Sequence, residues 1–413
     1  MRIAILSQSY PPMLSGAALF AEKLAKHFSV CGHDILVLAA SDQPYPYQVN
    51  YPNLSVERCR SYHNPLRASQ RFALWPHYQV MKCLVKFSPD LIHIHDPFQL
   101  AISSFVFSHS RKIPVILTIH QLPWFIRAYL PGVKMVQHVA ESMLWGYARW
   151  ILRHCDRAVA STRTVAKVIY AHTGISPHII SCGVDLSTFH PGPSDRGQEV
   201  TLRAGLGIPN DVPIILHVGR LDKDKQVDRV VQAAALAMQK TSAHLLVVGD
   251  GTEKLKLMNL CAQLGVGERS HFPGFVLIEN GLPALYQIST VFVTACEIET
   301  QGIVLLEAAA SALPIVAVQA TCLHEIVHEG QNGSLLRPRD IAGLANRLIE
   351  LIQNPIRAHE MGQMGRLIVE SHAAEKTFAA YESLYRTAIQ EARLISSPKA
   401  IAPGRAARSG GSG

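Results

Sequence analysis

Two carboxylates eight positions apart, Glu299 and Glu307, are the residues of this 413-residue chain whose type and spacing point first to chemistry. They frame the run Glu299-Thr300-Gln301-Gly302-Ile303-Val304-Leu305-Leu306-Glu307. Upstream, Val291-Phe292-Val293 is β-branched and apolar and reads as a buried strand. Ile303 to Ala312 is rich in Leu and Ala and reads as a helix, which Pro314 ends. Ile315 to Val318 reads as the next strand. The unit is therefore βαβ, with Glu299 at a helix mouth and Glu307 inside the helix. The unpaired N–H groups of a helix N-terminus are a seat for phosphate. A carboxylate beside that seat makes sense if it meets hydroxyls. The combination points to a nucleotide sugar, with phosphates on the amides and sugar hydroxyls on the acids. The plain alternative is a dipole-favoured Glu and a solvated helical Glu. Against it, Glu307 is flanked by Leu305, Leu306 and Ala308 to Ala310, and a buried Glu is rare without a partner. A glycosidase pair fits poorly. Eight residues of helix rise about 12 Å, whereas such pairs stand about 5–9.5 Å apart.

A second constellation follows another expected strand, Pro213 to Val218. Gly219-Arg220-Leu221-Asp222-Lys223-Asp224-Lys225 leads into a helix from about Val227. Arg220 and Lys225 beside a helix N-terminus make a diphosphate clamp, Arg bidentate and Lys as a point charge. Asp222 and Asp224 spell D-x-D, read here as solvent-facing, so no metal is expected. Elsewhere His93-x-His95 has no third ligand at useful spacing and reads as strand-end polar residues. Val115 to His120 is a strand with His120 at its C-terminal end, where open α/β sheets place their sites. Gly16 follows the first strand, Ile3 to Leu6, and precedes an amphipathic helix from about Leu19 to Phe28.

These residues carry a resemblance. The 299–307 run resembles the E-x7-E motif of family 4 retaining glycosyltransferases, and its Glu-Thr-Gln-Gly form is similar to that of diacylglycerol glucosyltransferases. The likeness extends over roughly residues 1–390. It includes the G-R-x4-K match at Arg220 and Lys225, with Gln226 where the family usually has Gly. Gly16-Ala17 stands where a Gly-Gly pair is usual, and Cys182 stands where Asn is usual. The resemblance implies a GT-B arrangement: two facing Rossmann-like α/β domains, with a C-terminal helix crossing back to the first. It implies His120 and Glu299 at the donor sugar. Gly16, Arg220, Lys225, Gly302 and Ile303 would lie at the donor phosphates, and Val276 and Glu307 at the nucleoside.

The length suggests two or three domains. The composition, 48% hydrophobic and 17% charged, allows a sizeable core. No apolar run is long enough to span a bilayer. The N-terminus is too short for a signal-peptide core and reads as a strand. Eight scattered cysteines without C-x-x-C argue for reduced thiols, a cytoplasmic enzyme and no structural zinc. The net charge of +8 is uneven: residues 1–193 hold 18 Lys+Arg against 9 Asp+Glu, and residues 194–413 hold 21 against 22. All four tryptophans (75, 124, 145, 150) lie in the first part. Basic charge with interfacial aromatics suggests an anionic membrane surface. No helix-turn-helix, zinc-finger or RNP pattern supports nucleic acid. Residues 65–87, including Arg67, Arg71, Lys82 and Lys86, read as basic and amphipathic, broken at Pro76. Leu122 to Leu130 reads as an acceptor or membrane lip, and Lys134 to Leu152 as a helix used for core packing.

The expected domains are 1–193 (acceptor and membrane side), 194–375 (nucleotide sugar), 376–394 (crossing helix) and 395–413 (disordered tail), with 192–200 as a linker. The expected activity is a retaining, metal-independent hexosyl transfer from a nucleotide diphosphate sugar, UDP-glucose or UDP-galactose. The acceptor would be a membrane lipid, diacylglycerol first, on the inner face of the cell membrane, with no cofactor and no nucleic acid. Phosphatidylinositol mannosyl transfer, or transfer to a polysaccharide or small soluble acceptor, is the alternative. A sugar-nucleotide binder without turnover is a different class, and the presence of both His120 and Glu299 argues against it.

Overall fold

The computed structural model describes residues 1–13, 15–63, 71–130, 132–192 and 196–396. Arg67, the middle of the expected linker and residues 397–413 of the expected tail lie outside the described residues.

Two parallel sheets organise the chain. The first contains β1 (Arg2–Ser7), β2 (Asp34–Ala40), β3 (Tyr47–Tyr51), β4 (Leu54–Cys59), β7 (Leu91–Ile94), β8 (Val115–Ile119), β9 (Arg157–Ala160) and β10 (His178–Ile179). Its order is β10-β9-β8-β7-β1-β2-β4-β3, and only β3–β4 is antiparallel. A small hairpin, β5 (Tyr62–His63) with β6 (Arg71–Phe72), stands beside it. The second sheet contains β11 (Ile214–Val218), β12 (His244–Val248), β13 (Ser270–Gly274), β14 (Val291–Thr294), β15 (Ile315–Val318) and β16 (Gly333–Leu336). Its order is β13-β12-β11-β14-β15-β16, all parallel. Every residue of β11, β12, β14 and β15 is buried. A parallel sheet covered by helices on both faces needs strands that are apolar nearly throughout, and His217, His244 and Thr294 are the polar residues in these four.

The first sheet is served by α1 (Gly16–Val30), α2 (His77–Phe87), α3 (Gln99–Arg111), α4 (Lys134–Arg153) and α5 (Arg163–Thr173). With the second go α6 (Arg196–Leu206), α7 (Val227–Met238), α8 (Lys254–Gln263), α9 (Leu282–Gln287), α10 (Ile303–Ala310), α11 (Ile341–Gln353) and α12 (Pro355–Val369). The last, α13 (Ala374–Ser396), returns to the first sheet. Its Tyr381, Tyr385 and Ile389 share one core with Ile3, Ile5, Phe20, Leu24 and Phe28. Burying an aromatic or aliphatic side chain of this size contributes roughly 1.5–3 kcal/mol, so this seam fastens α13 to β1 and α1.

Two expectations fail here. Residues from 196 form the start of α6, not a linker, because Arg203 is buried: it bonds the Ile288 carbonyl at 3.0 Å and pairs with Glu199 at 2.8 Å. Helix α4 is not mainly a core helix. Trp145, Ile151 and Leu152 are buried, but Met135, Val136, Val139 and Met143 face outward, Met135 being 75% and Met143 70% exposed.

The α13 seam is also polar. Tyr385 Oη lies 2.6 Å from His93 Nδ1, and His93 Nε2 lies 2.8 Å from Thr118 Oγ1. Tyr381 Oη lies 2.9 Å from the same Thr118 hydroxyl. Burial, with His120 adding to it, pushes His93 from the ordinary 6.5 down to about 3. Burial likewise pushes His217, on β11, down to about 4. Both are neutral when folded and protonate near 6.5 when unfolded. Their contribution is present above about 6.5 and is lost as pH falls from there towards 4. Scanning calorimetry is expected to show Tm falling between pH 7 and pH 5, each histidine removing up to about 1.4 kcal/mol per pH unit. A Tm constant over that window contradicts it.

Candidate active site

In the second sheet β11 has β12 on one side and β14 on the other, so the strand order reverses between β11 and β14. Open α/β sheets bind ligands at such a crevice, beyond the strand C-termini. The loop after β11 carries Arg220 and Lys225, and the loop after β14 carries Glu297 and Glu299. The turn after β12 supports the Arg220 loop from below. A Cβ on Gly249 would strike the Gly219 carbonyl, and one on Gly251 the Leu221 carbonyl. Leu221 N donates to Asp250 O at 2.9 Å, and Glu253 N to Leu221 O at 2.8 Å.

Arg220 is held by Asp222 and, at 2.8 Å, by Asp224. Both carboxylates are buried, which corrects their reading as solvent-facing. Asp222 is itself braced by the Thr252 N–H and hydroxyl, each at 3.1 Å. Burial opposes the Arg220 charge, but Asp224 and then Asp222 outweigh it and raise its pKa. Lys225 donates directly to Glu299, and Arg229 at the start of α7 donates to Glu297. Burial opposes the Lys225 charge too, and its neighbours Cys296 and Glu299 reverse that. The cations are therefore already matched by acids. Added negative charge must draw on the amides at the start of α10 as well. There Gly302 has φ +79°, and a Cβ on it would meet the Leu305 side chain. Gly16 lies opposite, its added Cβ 3.9 Å from Ile303 Cδ1. Gly16 is the first residue of α1 rather than part of a preceding loop, because Ser15 caps the helix by accepting from Ala18 N at 3.1 Å.

The Glu299 loop is bound across the cleft. Thr300 Oγ1 donates to the His120 carbonyl at 3.1 Å. The Thr300 carbonyl accepts from Ser161 Oγ at 2.9 Å and Thr162 Oγ1 at 3.1 Å. Gln301, 1% exposed, accepts from Cys182 N and donates to Ser181 Oγ, both at 2.7 Å. Glu325 accepts from the first amides of α5, Arg163 N at 3.0 Å and Thr164 N at 2.6 Å. Tyr129, just past the 3-10 turn Pro123–Ala128, donates to Asp224 at 2.9 Å. The lip thus touches the carboxylate that grips Arg220.

His120 is partly exposed at the end of β8, and burial pushes it down to about 4. Glu307 is buried and accepts from Tyr286 Oη at 2.9 Å. Burial raises its pKa, while Lys23 and the Tyr286 bond act the other way. Val276 stands two residues beyond β13 on the same sheet edge, packed on the core. The structure thus brings Lys225 to Glu299, Gly16 to Ile303, and Thr300 of the Glu299 loop to the His120 carbonyl, with Arg220 on the Lys225 loop and Gly302 next to Ile303. Glu307 lies deeper along α10, and Val276 stands apart along the edge. Sequence reasoning missed Tyr129, the inter-lobe roles of Thr300 and Gln301, and the Asp222–Asp224 seat. Only the D-x-D spacing carried a usable signal, since one guanidinium can take both acids.

Two Rossmann-like lobes with facing strand ends, and a cationic loop paired to an acidic one, define a GT-B glycosyltransferase. Residues 14–188 match the family described as Glycosyltransferase Family 4, and residues 199–367 match Glycosyl transferases group 1. The chain is 31% identical over 330 residues to D-inositol 3-phosphate glycosyltransferase 1 of Catenulispora acidiphila, covering 74% of this chain and 73% of that one. It is 26% identical over 393 residues to the Alpha-monoglucosyldiacylglycerol synthase of Acholeplasma laidlawii, covering 93% and 96%. The crystal structure of Anabaena HepE in complex with UDP and glucose superposes with a TM-score of 0.74 at 20% identity, covering 94% of this chain and all of the other. The chain belongs to the group 1, family 4 glycosyltransferases.

Replacing Gln301 with Leu leaves the buried Cys182 N–H without its acceptor, which costs about 1–3 kcal/mol. The urea midpoint of Gln301→Leu is expected to fall accordingly, and an unchanged midpoint contradicts the tie. Gly249→Ala, which drives a methyl group into the Gly219 carbonyl, is expected to weaken donor binding as well as stability, read by calorimetric titration with UDP.

Proposed function

We propose that the protein transfers a hexose, with retention at the anomeric carbon, from a UDP-sugar to a lipid hydroxyl, diacylglycerol being the first acceptor to test. The observation that carries the donor half is the Lys225–Glu299 pair beside the α10 N-terminus. Glu299 is then positioned for sugar hydroxyls, and Arg220, Lys225 and the Gly302–Ile303 amides for the diphosphate. Glu307 takes the ribose diol, with Val276 beside the base. Charge grows on the departing diphosphate in the transition state, where fixed donors act most strongly. His120 meets the sugar from the other lobe. The UDP bound by the HepE neighbour supports the choice of base.

The acceptor half rests on the name of the Acholeplasma relative and on the outer surface of the first lobe. Trp75 and Tyr78, at the head of α2, are 87% and 80% exposed, and Lys82 and Lys86 follow on that helix. Helix α4 adds the outward Met135, Val139 and Met143. Among the described residues no helix is long and apolar enough to cross a membrane. Apolar groups with basic neighbours instead favour a surface-bound state on anionic lipid. A small soluble acceptor is the second reading, favoured by the inositol-phosphate relative.

Arg220→Ala is expected to lower kcat about 10²- to 10³-fold, measured by UDP release. Turnover at the parent rate rules out the clamp. Chelating divalent metal is expected to leave the rate unchanged, because Asp222 and Asp224 already grip Arg220. Loss of activity restored by magnesium contradicts that. Anionic vesicles are expected to bind the protein at low salt and release it at high salt. Lys82→Glu with Lys86→Glu should weaken binding by about 1 kcal/mol per residue. Mass spectrometry of lipid extracts incubated with UDP-sugars identifies the acceptor, and a product formed only on soluble acceptors favours the second reading.

A further inference from the structure

His95 follows β7, beside the strand that ends at His120. It is buried, and its Nδ1 lies 2.9 Å from His120 Nε2. The two rings are nearly parallel, with centroids 5.2 Å apart and an interplanar angle of 16°. Phe20 sets its edge against both, at 5.8 and 5.5 Å. The ring of His93 closes the other side of His95 at 4.2 Å. Burial holds both members of the pair neutral at neutral pH, His95 well below the ordinary value and His120 near 4.

Two neutral imidazoles carry two N–H groups on four nitrogens, and the contact between them uses one. His95 Nε2 is buried and has no partner among the described residues. A proton there would be an orphaned buried N–H, which folded proteins rarely tolerate. The His95 proton therefore belongs on Nδ1, donated to His120 Nε2. His120 must then carry its own proton on Nδ1, the ring nitrogen that His95 leaves free.

We propose that His95 is a positioning residue that fixes His120 in the Nδ1–H tautomer, so that His120 meets the donor sugar as a neutral hydrogen-bond donor to a sugar oxygen. The inference rests on the reading of His120 as a sugar contact, but the tautomer assignment does not. It gives the H-x-H pair of the sequence a division of labour. His93 is engaged by Thr118 and Tyr385 in the seam under α13, and His95 serves the cleft.

Long-range proton–nitrogen correlation spectra of the histidine-labelled protein, with His120→Asn to assign the signal, test the tautomer directly. Nδ1 protonation of His120 is expected, and Nε2 protonation overturns the proposal. The second arm compares His95→Asn, whose amide nitrogen can stand near the Nδ1 position and donate, with His95→Leu, which cannot. His95→Asn is expected within about threefold of the parent kcat, and His95→Leu at least about tenfold lower, with a smaller change in donor KM. Equal losses in the two variants overturn the positioning role. If His95→Leu does not fold, His95→Asn and the spectra decide alone. If the tautomer is as expected but His120→Asn itself turns over at the parent rate, the reading of His120 as a sugar contact fails instead.

Discussion

The ion pair between Lys225 and Glu299 is the contact on which the site depends. It bridges the loops that leave β11 and β14, the two strands between which the second sheet reverses its order. Sheet topology opens a crevice there, and the pair fixes its two walls relative to each other. The acids that seat Arg220 and the acid that seats Lys225 hold long, flexible side chains ready in one arrangement. That removes part of the ordering entropy a ligand would otherwise have to supply. The same acids offset the cations' charge, and under the function proposed above the hydroxyls of the ligand would give Glu299 new partners when the phosphates take its place on Lys225.

The second constraint is that the Glu299 loop does not belong to one lobe alone. Thr300 is bonded to the strand end at His120 and to the cap of α5, and Gln301 to the crossover at Ser181 and Cys182. Glu325 adds its carboxylate to the α5 amides. Separation of the lobes would therefore have to break bonds made by the residues that follow Glu299.

Much of this was legible in the sequence, for physical reasons. Short, mostly apolar runs such as Ile214–Val218 and Ile315–Val318 fit buried parallel strands, and Gly, Pro and charge then mark their ends. The places of Arg220, Lys225, Glu299 and Gly302 could be read because they are close in sequence to those ends. The misreadings have a common cause. Asp222 and Asp224 read as solvent-facing in sequence because a charged loop ordinarily faces solvent, and the guanidinium they pair with shows only in three dimensions. The outward apolar stripe of α4 has a sequence period that core packing would also produce. Tyr129 and Gln301 act across distances of roughly a hundred residues of chain, which no local pattern encodes. The His95–His120 pair was half visible: the strand ends were placed, but their adjacency follows from sheet order alone.

Helix α13 leaves the amino-terminal lobe incomplete until the last of its residues has been made. Ile3, Ile5, Phe20 and Phe28 share their core with Tyr381 and Tyr385. At a ribosomal pace of about 5–20 residues per second, the interval between the end of the first sheet and the arrival of that helix is about 10–40 s. During that time the nascent lobe lacks the partner for the apolar face that Tyr381 and Tyr385 cover in the finished fold. The amino-terminal lobe is thus expected to complete its core only after the carboxy-terminal lobe has been synthesised.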